Sequence, residues 1–555
     1  MTSHSYNPFD FEFAKVQLFF QSDANSIHFF FYPSPFSRFN KGGKPLKEKK
    51  YLIPFIANSI LFCNFAQLYL CSYTQKETDR QPLMDDIRDL ETKPIGPLLW
   101  KFALPAIITQ VVASVYNIVD RVFLGQYVGE LALAGLAITL PIMNIIHAFG
   151  SLVGAGAAAR MSIVLGRKDI PWAEKILGNS MLLTFFFGFI FVTGGYLFMN
   201  PILELFGASP DTIGFARQYM LIVLPGMFFT TMTFNLTGLI RASGYPMKSM
   251  VIMAGGALLN ILLDAAFISL LGWGIAGAAW ATTISMTSTA IISVIHFVKP
   301  NSFIRFKRHA WTPKLYIFRN VLLIGMSPFL MNFAASFVVA LLNRQLIRYG
   351  GDLAVGAYGI VNTYASFLVM LIFGFCQGMQ PIAGYNYGAG KNERLKETYT
   401  LTSKLSVAAG LAGALVAVII PQLIMRAFTT GDELIALGIP AMRYLNVMMP
   451  LIAFTIVNSQ FFQSIDKPWI AIATSLSRQI VFLIPMMFAV PAIMTACHRD
   501  GLTGVWLACT VCDVLGAILA AILLSSQRKV FRTGYVPPER KPRKEYGPDN
   551  HTGLE

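Results

Sequence analysis

From Ile95 to Ser526 the chain alternates long apolar blocks with short polar or glycine-containing breaks. The blocks fall near residues 97–125, 131–158, 175–199, 215–240, 249–271 and 274–298, and again near 317–347, 354–385, 397–425, 439–464, 468–495 and 502–526. A helix of about 20 apolar residues is long enough to cross a bilayer. The pattern predicts an all-α polytopic membrane protein with twelve transmembrane helices in two groups of six. An outer-membrane barrel would show alternating segments of about ten residues instead.

Composition agrees. The 555 residues are 55% hydrophobic and 13% charged, whereas a soluble domain carries roughly 25% charged residues. The formal charge of +15 is concentrated in loops, where basic residues set topology, so no nucleic-acid partner is expected. Loops after spans 2, 4, 6 and 8 hold Arg167 and Lys168, Arg241 and Lys248, a basic linker, and Lys391 and Arg394. Loops after spans 1, 3, 5 and 9 hold Glu130, Glu204 and Asp211, a Gly-Trp-Gly turn, and Asp432 and Glu433. The positive-inside rule then places both termini in the cytoplasm, as for a multi-pass protein of the bacterial inner membrane.

The organisation follows: residues 84–298 as a first six-helix bundle, 299–316 as the linker, 317–526 as a second bundle, and 527–555 as a basic tail. Residues 1–83 differ from the rest. They mix Phe runs, a basic patch from Lys41 to Lys50, and an apolar segment at 51–71 broken by Asn58, Asn64 and Gln67. This region reads as an extra helix, as an uncleaved anchor, or, the preferred reading, as sequence upstream of a start at Met84.

The two groups of spans look like a repeat. Glu130–Ile138 lines up with Asp352–Ile360, and at the same offset Gly156 meets Gly378 and Gly166 meets Gly388. Tyr219, Pro225 and Phe229 recur as Tyr444, Pro450 and Phe454. Six spans per half give both halves one orientation, a parallel repeat typical of transporters.

Chemistry is sparse and concentrated. Asn260 and Asp264 sit four residues apart in span 5, on one helix face. A carboxylate in hydrocarbon is costly unless it faces a partner or a wet cavity. Asp120 in span 1 and Thr282 or Thr283 in span 6 fall in the same layer, roughly 8–13 Å below the outer surface at 1.5 Å per residue. Two carboxylates, an Asn and a Thr hydroxyl suit H⁺ or Na⁺ equally, and neighbouring carboxylates favour uptake of a proton. The second half lacks this set: Leu342 or Asn343 stands where Asp120 stands. Its buried acid is Asp513, read first as structural, with Arg478 and Gln479 as sources of a partner.

Gln110, Tyr116, Asn117, Asn332, Asn362, Gln377, Asn458 and Gln463 also lie inside spans. Singly each fits interhelical hydrogen bonding; together they suggest a wet central cleft. The 24 Met and 45 Phe are expected to be mostly lipid-facing or core, but those in a cleft would suit a loose, repacking site for bulky apolar cations. Cys509 and Cys512 have CxxC spacing but lie in an apolar helix, so helix packing is expected and not a metal or redox centre. There is no nucleotide-binding P-loop, no nucleophile–base pair and no H-E-x-x-H motif, which argues against ATP coupling, enzymatic activity and a cofactor.

The stretches Tyr116-Asn-x-x-Asp120, Leu259-Asn260-x3-Asp264, Gly274-Ile-Ala-Gly277-Ala-Ala-Trp-Ala-Thr282, Phe462-Gln463-Ser-Ile-x-Lys467-Pro468 and Ser477-Arg478-Gln479 resemble those of multidrug and toxic compound extrusion (MATE) transporters, over about residues 95–527. The resemblance implies two six-helix bundles in a V shape, exporting drugs in exchange for H⁺ or Na⁺; the expected partners are drugs or toxic metabolites and the lipid bilayer, and the expected state is a monomer. It puts Asp120, Asn260, Asp264 and Thr282 or Thr283 at the family's first-bundle cation site, and Pro105 at the proline where span 1 bends. The lack of acids in spans 7, 8 and 10 looks closer to DinF-like than NorM-like members. A lipid-linked precursor flippase of the same superfamily is the alternative, but it would line its cleft with Arg and Lys, in which these spans are poor.

Overall fold

A computed structural model describes residues 22–23, 26–27, 85–300, 302–429, 431–532 and 534–535. The strands Ser22–Asp23 and Ser26–Ile27 pair antiparallel within a unit spanning Met1–Tyr73. The segment 51–71, where one reading places a helix, lies outside the described residues. The second unit, Thr74–Glu555, is helical throughout its described elements.

Helix α1 (Asp85–Thr92) leads into α2 (Ile95–Tyr127), α3 (Glu130–Gly166) and α4 (Ile170–Leu197). A short α5 (Met199–Leu205) connects to α6 (Ile213–Ala242), α7 (Pro246–Asp264) and α8 (Gly274–Val298). Beyond the linker come α9 (Leu315–Gly388), α10 (Asn392–Ile419), short α11 (Pro421–Phe428), α12 (Asp432–Asn446) and α13 (Met449–Ser464). The last are α14 (Pro468–Leu476), α15 (Ile484–Ala496) and α16 (Gly501–Ser526).

Ten described helices are long and apolar enough to cross a membrane, or eleven if α12 and α13, bent by 45°, form one span. Twelve requires α9 to cross twice. Its 74 residues would run roughly 110 Å if straight, against about 30 Å of hydrocarbon. Gly351 interrupts it at φ 68° and ψ −168°, a conformation essentially reserved for glycine.

Two expected spans differ in detail. The block at 397–425 ends as a helix at Ile419, and Pro421 opens a separate short helix. The block at 439–464 begins earlier, at Asp432, and breaks between Asn446 and Met449, with Pro450 in the first turn of α13. Proline fits a first turn because its missing N–H has no partner to lose there. Polar caps fix other starts. Asp169 accepts from the amide of Trp172 at 3.1 Å, and Asp500 accepts from those of Leu502 and Thr503 at 3.1 and 3.0 Å. Burial works against the Asp500 charge, but hydrogen bonds from Thr503 and Leu502 outweigh it and hold this carboxyl below its ordinary value.

The buried apolar residues form three main cores. One draws only on the first half, including Phe123, Leu136, Tyr219 and Ile268. A second draws only on the second half, including Leu342, Val361, Met442 and Trp506. The largest is shared, joining Leu98, Leu165 and Phe297 to Ile382, Tyr385 and Phe461. The halves are thus fused at one end and separately packed at the other, as in a V-shaped pair of bundles.

The fused end is a backbone-to-backbone contact. A Cβ on Gly166 would lie 2.0 Å from the Tyr385 carbonyl oxygen, and one on Gly388 would lie 2.0 Å from that of Ile163. A Cβ on Gly156 would likewise lie 2.0 Å from the Val321 carbonyl oxygen, and one on Gly378 2.6 Å from the Ala103 amide nitrogen. These are the glycines that the internal repeat pairs. Reciprocal contacts between equivalent residues are what a two-fold relation between halves produces.

Candidate functional site

Asp264 is the last residue of α7, and a π-helical turn, Ala265–Leu270, follows it directly. Such turns widen a helix and are frequent at functional sites. Asn260 lies one turn earlier. Both are buried, at 0% and 2% exposure.

Three other helices complete the site. Asn260 Nδ2 donates to Thr282 Oγ1 of α8 at 3.4 Å. The Tyr219 hydroxyl of α6 also hydrogen-bonds with Thr282 and lies within electrostatic reach of both Asp120 and Asp264. Asp120 of α2 and Asp264 are close enough to act on each other. Among the described residues, Asp120 Oδ1, Asn260 Oδ1 and both carboxylate oxygens of Asp264 have no hydrogen-bond partner. Two such carboxylates in an apolar layer are stabilised by a proton or a cation bound between them. No group of three or more His, Cys, Asp or Glu side chains comes together as a metal centre among the described residues.

Of the two threonines, Thr282 joins the network. Thr283 turns away and donates to the Ile222 carbonyl at 2.9 Å, beside Gly226, where a Cβ would approach its hydroxyl to 2.9 Å. Tyr219 is the residue that the sequence reading missed as a site member. Its signal was its recurrence as Tyr444, which marked the repeat without marking the chemistry.

The other candidates differ in burial and in partners. Pro105 sits inside an α2 that stays helical through it, with its carbonyl accepting from Thr109 at 2.8 Å. Gln110, Tyr116 and Gln377 are half-buried, whereas Asn332 and Asn362 are exposed; the Asn117 side chain lies outside those described. Asn362 accepts from Tyr358 at 3.4 Å. Asn458 is consumed by packing: it accepts from Tyr399 at 3.2 Å and donates to the Phe454 carbonyl at 2.8 Å. Gln463 is buried, with no hydrogen bond to its amide among the described residues.

Other ion pairs involve residues of the spans. Arg478 Nη1 is 2.6 Å from Asp513 Oδ1, so the second half's buried acid does take its partner from the Ser477-Arg478-Gln479 stretch. Arg478 and Gln479 sit in a second π-helical segment, Ser477–Leu483. Another pair, Arg160 with Asp466, joins the two halves at 3.1 Å. It had no signal in the sequence.

Comparison with known proteins matches this arrangement. The MatE family model fits the chain twice, over residues 105–266 and 328–489, and its first match contains both Asp120 and Asp264. The multidrug export protein MepA of Staphylococcus aureus (strain MRSA252) is 25% identical over 435 residues, covering 78% of this chain and 94% of that one. A crystal structure of MATE in the bent conformation aligns with a TM-score of 0.74 and 23% identity, covering 80% of this chain and 97% of that one. A solved structure called "protein A" is 34% identical with a TM-score of 0.72, over 79% and 97% of the two chains. The chain therefore belongs to the MATE family: it is a multi-pass membrane transporter and not an enzyme.

Proposed function

We propose that this transporter is a secondary active multidrug efflux antiporter, exporting amphipathic, often cationic compounds in exchange for H⁺ or Na⁺ by alternating access. The observation that carries the coupling is Asp264: it is fully buried, its carboxylate has no hydrogen-bond partner among the described residues, and Asp120 is its neighbour. Export as the direction, and drugs as the cargo, draw support from the multidrug export relatives. In this reading Asp120, Asn260, Asp264 and Thr282 hold the coupling ion, Tyr219 orients Thr282, and Thr283 stays outside.

The basic loops favour a bacterial cytoplasmic membrane with both termini in the cytoplasm. A complete two-fold repeat within one chain favours a monomer. The second half has no acid in spans 7 or 8, nor in span 10 beyond the first turn at Asp432 and Glu433, and Asp513 pairs with Arg478, which favours the DinF-like branch. Expression in an efflux-deficient host should raise tolerance to amphipathic cations, and the purified protein should move them in proteoliposomes under an imposed ΔpH or ΔNa⁺. Unchanged tolerance together with no gradient-driven transport would reject the antiporter reading in favour of a lipid-linked precursor flippase.

A further inference from the structure

Helix α1 belongs to the first half by sequence, yet the second half holds its end. The last carbonyls of a helix have no partner within it, and side chains around the α9–α10 turn collect those of α1. Arg394 Nη2 donates to the carbonyls of Leu90 at 3.3 Å and Lys93 at 2.6 Å. Asn386 Nδ2 donates to Leu90 at 3.4 Å, and Lys391 Nζ to Glu91 at 3.3 Å. Asn386 Oδ1 also fixes Arg394 by accepting from its Nε at 3.2 Å. Cations at this end complement the helix dipole as well.

The Glu91 carboxylate ties the halves together. Oε1 lies 3.0 Å from Lys391 Nζ of the second half, and Oε2 lies 3.5 Å from Lys168 Nζ of the first. Tyr385 donates its hydroxyl to Oε2 at 3.4 Å. The hydrogen bond from Lys391 is the largest influence holding this carboxyl below its ordinary value of 4.5, so Glu91 is charged near neutral pH. Leu90, at 0% exposure, is buried in the shared core. Asp89 anchors α1 back to the first half through Lys101 at 3.0 Å. The Gly166 and Gly388 contacts and the Arg160–Asp466 pair lie at the same fused end.

We propose that α1 is a latch: the Lys168–Glu91–Lys391 bridge and the captured carbonyls of Leu90 and Lys93 hold the two halves together at their fused end, and must release before that end opens. The latch rests on the alternating-access reading above. Each exposed ion pair contributes a factor of about two to five to the closed state, enough to bias an opening equilibrium without forbidding it.

Ser162 reports the state of this interface. It is 1% exposed, and a Cβ on Gly384 of the other half would lie 2.7 Å from its own Cβ. In full-length Ser162→Cys protein, a membrane-impermeant maleimide is applied to inside-out and right-side-out vesicles. Modification is read peptide by peptide, so the native cysteines are counted separately. Glu91→Gln should speed labelling about three-fold or more in inside-out vesicles, and Arg394→Met should act in the same direction. Glu91→Lys combined with Lys168→Glu and Lys391→Glu should bring the rate back to within about two-fold of the parent, since the bridge re-forms with reversed charges. Equal rates for the parent, Glu91→Gln and Arg394→Met would overturn the latch. Acceleration only in right-side-out vesicles would support the latch but reverse the proposed orientation. No labelling from either side during active transport would overturn opening at this end, and the latch with it.

Discussion

Arg160 and Asp466 stand 306 positions apart in the sequence and 3.1 Å apart in space, with side-chain exposures of 3% and 9%. Asp466 holds φ 58°, a left-handed conformation that Asp, Asn and Gly tolerate. The chain turns there to bring its carboxylate to the other half. Removing one partner of a buried pair leaves an uncompensated charge and costs about 3–5 kcal/mol. Asp466→Asn and Asp466→Gly both accept the backbone and both lose the charge. Each should therefore lower the thermal midpoint in detergent substantially and by a similar amount. A near-parental midpoint for either would show that the pair contributes little.

Asp264→Asn should abolish gradient-driven export while leaving the protein folded. The amide keeps the shape but can neither release a proton nor present a full negative charge to a cation. Transport in proteoliposomes under an imposed ΔpH or ΔNa⁺, at matched reconstitution, checks this; near-parental export would remove Asp264 from coupling.

Asp120 and Asp264 should behave as one titrating unit, because interacting carboxylates do not act independently. Asp120→Asn, Asp264→Asn and the double variant should retain similar residual transport, since losses from groups working together are not additive. Losses that multiply in the double variant would mean two independent sites.

The hydroxyl network separates adjacent threonines. Thr282→Ala and Tyr219→Phe each remove a hydrogen bond that Thr282 makes beside the carboxylates, worth about 0.5–1.5 kcal/mol. Each should weaken apparent ion affinity by roughly three- to ten-fold on that scale. Thr283→Ala should leave it within about two-fold, because that hydroxyl donates to the Ile222 carbonyl and not into the carboxylate network. Ion dependence of transport at fixed drug concentration measures all three. An effect of Thr283→Ala equal to that of Thr282→Ala would refute the assignment.

The latch carries a pH signature. Glu91 has its carboxyl below the ordinary value of 4.5 while Lys391 and Lys168 are in place. A group lowered in the closed state strengthens that state above its free value and loses the contribution as pH falls through the lowered one. The ratio of Ser162→Cys labelling rates, Glu91→Gln over parent, should therefore hold steady from about pH 8 to 6 and approach one only below the ordinary carboxylate range. A ratio that collapses near neutrality would assign the effect to another group.

Much of this was legible in the sequence because hydrocarbon imposes it. Runs of apolar residues pointed to most of the spans, and an Asn and an Asp one turn apart in such a run pointed to the candidate site. The breaks at Ile420 and Met448 were not legible, since apolar composition continues through them and Pro450 reads equally as a kink or as a helix start. Tyr219 was not legible because a tyrosine in an apolar span is, by default, core. Arg160 sits next to a run of alanines and looks like the end of a span. Its partner becomes visible only when the halves are folded together, as does the capture of α1 by Lys391 and Arg394.

The glycine contacts at the fused end have a consequence for how the molecule can move. Where Gly166 and Gly388 let main chain touch main chain, the contact itself holds no flexible side chain to stretch or re-rotamerise. Attraction across such a seam fades within an ångström or so of separation. A gap of about 0.5–1 Å would thus forfeit a quarter to a half of this contact's attraction at once, which disfavours half-parted states. The fused end should behave as a snap fastener rather than a spring, with the two halves either mated or clear of one another.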